Sequence, residues 1–209
     1  MKVIARRSNA LSRRCIDAIA ALSLLVLLSP VLITTAALVR LFIGSPVAFW
    51  QQRPGRGGVP FRLYKFRTMR APHDETGRLL SDEERTSPVG NFLRRFRLDE
   101  LPQLFNILVG DMSFVGPRPL LPRDQAPSDC ARLLVRPGLT GWAQVVGGRA
   151  VSADDKAALD VWYVKNASLL LDLQIAIRTV PMILFGESIH RSTITDVWHE
   201  LRRDGIVSG

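Results

Sequence analysis

The sequence contains few of the residues that form disulfide frameworks or zinc sites. Its two cysteines, Cys15 and Cys130, lie in an apolar run and in a polar segment of the 209-residue chain. That number and placement imply no disulfide framework. The three histidines, His73, His190 and His199, are scattered without the spacing of zinc ligands. A structural zinc site is therefore not expected.

Aromatic residues and nucleotide-binding motifs are also scarce. Phe, Trp and Tyr together make up 7% of the residues, and no P-loop, GxGxxG or kinase-type HRD motif occurs. These absences argue against a kinase or a nucleotidase, and no nucleic-acid-binding module is recognisable. Positive charge, by contrast, is abundant: 28 Lys and Arg against 19 Asp and Glu give a net charge of +9 at neutral pH. The excess favours anionic lipid or phosphorylated substrates as partners, and nucleic acid is not predicted.

A long apolar segment follows the basic N-terminus. Residues 1–14 contain five Lys and Arg residues, whereas residues 18–39 contain no charge. As a helix, this uncharged stretch would be about 33 Å long, which is enough to cross a bilayer. A signal peptide is a poorer interpretation, because the apolar region is too long and Pro30 interrupts it.

Two topologies remain for this segment, a kinked span and a helix–break–helix hairpin. Basic residues flank both ends, so the positive-inside rule draws both flanks toward the cytoplasm. A hairpin that enters and leaves by the same leaflet satisfies both flanks. Pro30 removes one helical hydrogen bond and Ser29 can supply a compensating side-chain bond. The charge pattern favours the hairpin over the span.

The rest of the chain predicts an α+β fold that is mainly helical. Gly and Pro residues surround a short strand predicted at 47–51. Apolar and basic residues alternate over 61–69, which indicates a second, half-buried strand and hence a small β-hairpin. Helices are predicted at 154–166 and 169–185. Ser168 would cap the second, which is either buried or lies on a membrane surface as an amphipathic helix.

We expect three parts in the chain: a re-entrant membrane-anchoring helix at 1–41, a cytoplasmic catalytic domain at 42–187 and a polar tail at 188–209. Residues 136–148 of the catalytic domain are rich in glycine. Such a loop can present backbone N–H groups to an anion, although a plain turn is the commoner explanation. Gln144 in this loop is a candidate contact for a base or a sugar.

Charged residues that suit phosphate chemistry are concentrated between Asn91 and Pro122. The stretch contains three arginines, an adjacent carboxylate pair and a fourth arginine in a proline-rich turn: Arg94, Arg95, Arg97, Asp99, Glu100 and Arg118. Cations beside paired carboxylates suit a substrate with phosphates, especially with a metal ion between them. We interpret the stretch as a phosphoryl-transfer centre. The alternative is structural, with Asp99 capping a helix at 100–108 and the arginines forming a solvated face.

Four segments of the sequence resemble the bacterial sugar transferase family. They are Tyr64–Met69, Leu98–Pro122, Arg136–Val145 and Asp160–Ala176, in the family's order. The likeness extends from about residue 13 to residue 179. The family consists of monotopic polyprenyl-phosphate phosphoglycosyl transferases of the bacterial inner membrane, acting at its cytoplasmic face. This chain resembles their short, stand-alone form.

The resemblance implies an activity and a set of site residues. The family transfers a sugar-1-phosphate from a UDP-sugar to undecaprenyl phosphate, releases UMP and requires Mg²⁺. By resemblance, Asp99 is the nucleophile, and Asp99 and Glu100 form the catalytic pair and the metal site. Substrate contacts fall on Lys65, Arg67, Arg94 and Arg118. The Ser-Pro pair of the family's re-entrant helix falls on Ser29 and Pro30, which makes the hairpin the expected topology.

One motif departs from the family pattern. Many relatives have Asn-Gly-Arg after Ala-Gln-Val, whereas this chain has Val146-Gly147-Gly148-Arg149. No sugar or nucleotide contact is therefore carried over to Arg149. The expected partners are a UDP-sugar, undecaprenyl phosphate, membrane lipid and other enzymes of glycan assembly. The competing hypothesis is a non-catalytic basic scaffold that binds anionic lipid, which explains the charge but not the carboxylate pair among arginines.

Overall fold

The computed structural model describes residues 10–73, 76–125, 127–148 and 150–206, and these are mainly helical with two small sheets. The helices are α1 (Ala10–Leu27), α2 (Ser29–Phe42), α3 (Asp82–Arg85), α4 (Pro88–Arg95), α5 (Gln103–Val109), α6 (Trp142–Val146), α7 (Ala153–Asn166), α8 (Leu169–Phe185) and α9 (Arg191–Arg203). The strands are β1 (Ala48–Pro54), β2 (Pro60–Phe66), β3 (Ser113–Val115) and β4 (Gly138–Thr140). The prediction of a mainly helical fold with a small β-hairpin is confirmed.

The first two helices form a bent pair. Their axes differ in direction by 63°, and Pro30 lies in the first turn of α2. Proline has no N–H for the carbonyl four residues earlier, which is that of Val26. The Ser29 hydroxyl donates to this carbonyl at 2.8 Å, so the predicted compensation is confirmed. No single helix of the described part is long and apolar enough to cross a bilayer; only together do α1 and α2 meet both conditions.

One side of the α1–α2 pair packs on the rest of the protein. Ala21 of α1 is buried against Leu104 and Ile107 of α5, and Val39 of α2 packs with Phe66 and Leu93. The other side is apolar yet exposed, through Leu11, Ile16, Ile19, Leu22, Val26, Leu27, Ile33, Leu41 and Phe42. A continuous exposed apolar face of this kind is typical of contact with lipid or another protein.

The β-hairpin is attached to α5 through the side chain of Asn106. Strands β1 and β2 are antiparallel, with Phe49 opposite Lys65. Strand β1 continues to Pro54, beyond the end of the strand predicted at 47–51. Asn106 of α5 accepts a hydrogen bond from the Tyr64 N–H at 3.1 Å and donates to the Arg62 carbonyl at 2.7 Å. Its side chain thereby provides hydrogen-bond partners for backbone groups on the outer edge of β2, and it fixes the strand against α5.

The glycine-rich segment at 136–148 is more regular than predicted. It contains β4, which is parallel to β3, and the buried helix α6. A Cβ atom at Gly138 would lie 2.1 Å from the backbone nitrogen of Gly116. The close approach of these two backbones therefore requires glycine at position 138. The sequence alone had predicted a turn or an anion-binding loop in this segment.

The second half of the chain has its own hydrophobic core. The buried residues include Trp142, Leu159, Tyr163, Ile175, Ile194, Val197 and Leu201. Helix α8 has the predicted bounds, and Ser168 caps it by accepting a hydrogen bond from the Leu171 N–H. Residues 188–209, expected to be a polar tail, include α9, whose buried side chains join this core. The helix is amphipathic, so its average composition concealed an apolar face.

Candidate active site

Glu100 lies at the centre of a cluster of positive charges. It ends a 3-10 turn, Leu98–Glu100, which follows α4 and begins after Arg97 in a left-handed backbone conformation. Glu100 is only 6% exposed. Its Oε1 accepts hydrogen bonds from the Lys65 ammonium at 2.9 Å and from the Arg118 guanidinium at 2.7 Å. The hairpin and the proline-rich turn thus converge on one carboxylate.

Arg97 adds a third cation to Glu100. Its guanidinium lies 3.5 Å from the Glu100 Oε2. Burial by itself raises the pKa of Glu100, but the charges of Arg118, Lys65 and Arg97 outweigh it and lower the pKa to about 2. Glu100 is therefore ionised at neutral pH and holds three cations in place.

The neighbouring Asp99 has a different environment. No ion pair between Asp99 and another residue of the described ranges is present. Burial raises the pKa of Asp99, the negative charge of Glu100 raises it further, and Lys65 and Arg118 oppose the shift. A carboxylate that is not held by a cation, beside one that is, suits the role of nucleophile. The capping alternative is wrong, because α5 begins after Pro102 and has no side-chain cap.

Two residues of this cluster were not among the predicted site residues. Arg97 was noted only as one of three arginines, although its i, i+3 spacing from Glu100 is a signal for contact. Its guanidinium also donates to the Glu187 Oε1 at 3.1 Å. Glu187 follows α8 and is separated from Arg97 by 90 residues. No local pattern in the sequence indicates that pair.

The structure does not bring Arg67 and Arg94 into contact with Glu100 through any interaction of the described residues. Arg67 donates to the carbonyls of Met69 and Ser45 at 2.8 and 2.6 Å, and thus ties the end of β2 to the turn after α2. Arg94 donates to the Asn91 side chain at 2.7 Å. Arg94 also lines a cavity together with Arg97. Their roles in substrate binding stay predictions.

Gln144 is buried in α6. Its Nε2 donates to the Leu139 carbonyl at 3.1 Å, and its Oε1 has no hydrogen-bond partner within the described residues. Trp142 of the same helix stacks on Trp162, and the Arg178 guanidinium lies over its ring. These contacts belong to the core, so contact of Gln144 with a base or sugar stays a prediction. Arg149 lies outside the described residues.

The described residues contain no group of three or more His, Cys, Asp or Glu side chains that would hold a metal ion. Glu100 already accepts hydrogen bonds from two cations on one oxygen, so the two-carboxylate site is not preformed. Asp99 is the carboxylate of the pair that makes no ion pair with the described residues. Magnesium is commonly held by one or two carboxylates together with substrate phosphates. Asp99 fits that donor set, and Glu100 fits it only if a cation moves away.

Comparison with known proteins identifies the family of this chain. A family model described as bacterial sugar transferase matches residues 8–186. The chain belongs to this family. It is therefore a transferase, and the prediction from its motifs is confirmed. Most of the described helices and strands, including the turn with Asp99 and Glu100, lie within the matched region.

Several relatives of this sugar transferase are known from bacteria. An uncharacterized sugar transferase of Bacillus subtilis, EpsL, is 50% identical over 184 residues, covering 86% of this chain and 91% of the relative. An Aeromonas hydrophila relative is named as a UDP-N-acetylgalactosamine–undecaprenyl-phosphate N-acetylgalactosaminephosphotransferase. It is 43% identical over 185 residues, covering 83% of this chain but 44% of that longer protein. A UDP-glucose:undecaprenyl-phosphate glucose-1-phosphate transferase of Caulobacter vibrioides is 40% identical, with 86% and 72% coverage.

Proposed function

We propose that this sugar transferase moves a sugar-1-phosphate from a UDP-sugar to undecaprenyl phosphate through a covalent intermediate on Asp99, with release of UMP. One observation carries the proposal: Asp99 makes no ion pair with the described residues, while the adjacent Glu100 holds Lys65, Arg97 and Arg118. The names of the Aeromonas and Caulobacter relatives support this class of donor and acceptor. Such transfer begins the assembly of a glycan on a lipid carrier.

In the first step, an oxygen of the Asp99 carboxylate attacks the phosphorus that bears the sugar. The bond from that phosphorus to the bridging oxygen breaks, and UMP leaves with the electron pair. The product is an acyl phosphate that carries the sugar. The attack brings together anions, so the cations that Glu100 positions, Lys65 and Arg118, stabilise the charge on the phosphate oxygens.

In the second step, a phosphate oxygen of undecaprenyl phosphate attacks the same phosphorus. The bond to Asp99 breaks, the free carboxylate is restored, and the product is a sugar linked to the lipid through a diphosphate. Magnesium bound by Asp99 and the substrate phosphates would supply further neutralisation of charge. Glu100 stays ionised throughout because of its low pKa.

We further propose that α1 and α2 form a re-entrant hairpin at the cytoplasmic face of the bacterial inner membrane. The 63° bend and the exposed apolar residues of both helices support this location. Helix α8 adds Leu170, Leu173, Ile177, Val180, Leu184 and Phe185, all exposed and apolar. The phosphate of a polyprenyl acceptor lies at headgroup level, where a protein held in one leaflet would meet it.

The reaction is tested with the donor alone. Incubation with a UDP-sugar labelled in its sugar and without acceptor should release about one UMP per protein molecule and attach the label to Asp99. The substitution Asp99→Asn should remove both signals and leave thermal unfolding unchanged. Label on the Asp99→Asn protein would exclude Asp99 as the nucleophile. No UMP release from any of a panel of UDP-sugars would favour the non-catalytic scaffold.

A further inference from the structure

A cavity of about 340 Å³ lies between α4 and the C-terminal end of α8. It is lined by three arginines of the central stretch and by residues at and beyond the end of α8, including Arg94, Arg95, Arg97, Met182, Ile183 and Glu187. Arg97 connects it with the catalytic pair, because the same guanidinium lies 3.5 Å from Glu100. Arg97 therefore lies both in the wall of the cavity and against Glu100, the residue next to Asp99.

The charges in the cavity suit an anion. Three guanidinium groups line it, against the single carboxylate of Glu187. That carboxylate accepts a hydrogen bond from Arg97 at 3.1 Å. Arginine binds phosphate and carboxylate with the same planar set of donors. Glu187 thus occupies a position on Arg97 that a phosphate can occupy.

The surroundings of the cavity are apolar and exposed. Phe92 of α4 and Phe96, which directly follows α4, flank the lining arginines and are 51% and 37% exposed. On α8, Leu184 and Phe185 directly follow Ile183 and are 54% and 83% exposed. A phosphate group with a hydrocarbon chain matches a cationic cavity that has such a rim. The uridine and sugar of the donor lack that apolar part.

Resting on the function proposed above, we propose that this cavity binds the phosphate of the polyprenyl acceptor through Arg97, and that Glu187 holds Arg97 until the acceptor displaces it. Glu187 is positioned for such exchange. It follows Gly186, which has a positive φ of 106°, and its side chain is 27% exposed. Arg97, to which the acceptor phosphate would bind, lies 3.5 Å from Glu100, the residue next to Asp99.

The inference is tested by steady-state kinetics of the full chain in detergent micelles with undecaprenyl phosphate. The substitution Glu187→Gln removes the competing charge, so the KM for undecaprenyl phosphate should fall by about threefold or more. The KM for the UDP-sugar should change less. Glu84→Gln is the matched control, because Glu84 accepts a hydrogen bond from Arg78 at 2.8 Å on α3. An acceptor KM that is unchanged or raised in Glu187→Gln overturns the inference.

A second measurement uses dodecyl phosphate as a probe. It should inhibit competitively against undecaprenyl phosphate, and Arg97→Gln should raise its inhibition constant by about tenfold. Competition against the UDP-sugar instead, or an inhibition constant insensitive to Arg97→Gln, contradicts the assignment. Failure of the inference is separable from failure of the proposed function. If the wild type releases UMP normally and the acceptor KM is unaltered in Glu187→Gln, the inference is contradicted and the proposed function is retained.

Discussion

At the centre of this transferase, the pKa values of two adjacent carboxyl groups are shifted in opposite directions. Glu100 is buried among three cations that lower its pKa. Asp99 is without such a partner among the described residues, and burial raises its pKa. Adjacent groups can differ in this way when other segments of the chain deliver charge to one of them. Here Lys65 of β2 and Arg118 of the proline-rich turn do so. In the proposed reaction, Glu100 positions the cations and Asp99 attacks the phosphorus.

The low pKa of Glu100 has a consequence for stability. The pKa of about 2 in the folded protein lies below the ordinary value of 4.5, so the unfolded chain binds the proton first as the pH falls. The stabilisation is complete above pH 4.5 and is lost toward pH 2. It amounts to at most about 3 kcal/mol. Chemical denaturation between pH 6 and pH 2.5 should show a steeper loss for wild type than for Glu100→Gln.

The exposed Glu83 provides the control for that experiment. Glu83→Gln changes the same atoms on the surface of α3, so its pH dependence should match that of the wild type. Equal slopes for wild type and Glu100→Gln would show that the three cations do not stabilise the ionised form. Glu100→Gln also leaves Lys65, Arg97 and Arg118 close together without an anion.

At the level of elements, the bend between α1 and α2 depends on a dipeptide. Pro30 orphans the Val26 carbonyl, and the Ser29 hydroxyl restores its hydrogen bond. Pro30→Ala restores the N–H and removes the steric clash, so the pair should straighten toward a single span. An N-terminal cysteine, introduced after replacement of the exposed Cys15 and Cys130 by serine, reports the change. A membrane-impermeant thiol reagent should then label it from the periplasmic side in Pro30→Ala. A cytoplasmic N-terminus in both proteins would count against this role of Pro30.

Features set by neighbouring residues were predictable from the sequence. Alternation indicated the β-hairpin, Ser168 marked the start of α8, and Ser29-Pro30 marked the bend. Asp99 and Glu100 were predicted as site residues because they are adjacent to each other and close to arginines. Helix α9 was not predicted, although the spacing of Ile194, Val197 and Leu201 by three and four residues is typical of a helix with one buried face.

Features set by long-range contact were not predictable from local patterns. The pairing of Arg97 with Glu187 joins residues 90 positions apart. The glycine at 138 was interpreted as part of a turn or an anion-binding loop, yet its backbone lies too close to that of Gly116 for a side chain. In each case the three-dimensional fold decides which distant groups meet, and a single sequence carries no record of that meeting.

The molecule as a whole combines an excess of positive charge with exposed apolar helix faces. The net charge of +9 coexists with apolar exposed faces on α1, α2 and α8. Exposed apolar side chains in water cost about 25 cal/mol for each Å², so a face of many such residues is stable only when covered. Basic residues add attraction for anionic headgroups, each about 1 kcal/mol near the surface. Both terms favour a protein held on one leaflet of an anionic membrane.

The contribution of α8 to that attachment can be measured separately from the hairpin. Leu173 is 57% exposed on α8, and Leu173→Glu places a charge on the apolar face without disturbing a buried contact. Flotation with vesicles containing anionic lipid should recover less of the variant than of the wild type, because insertion would bury the new charge. Ser192→Glu adds the same charge at an exposed position of α9 and should float like the wild type. Equal recovery of all three proteins would count against contact of α8 with lipid.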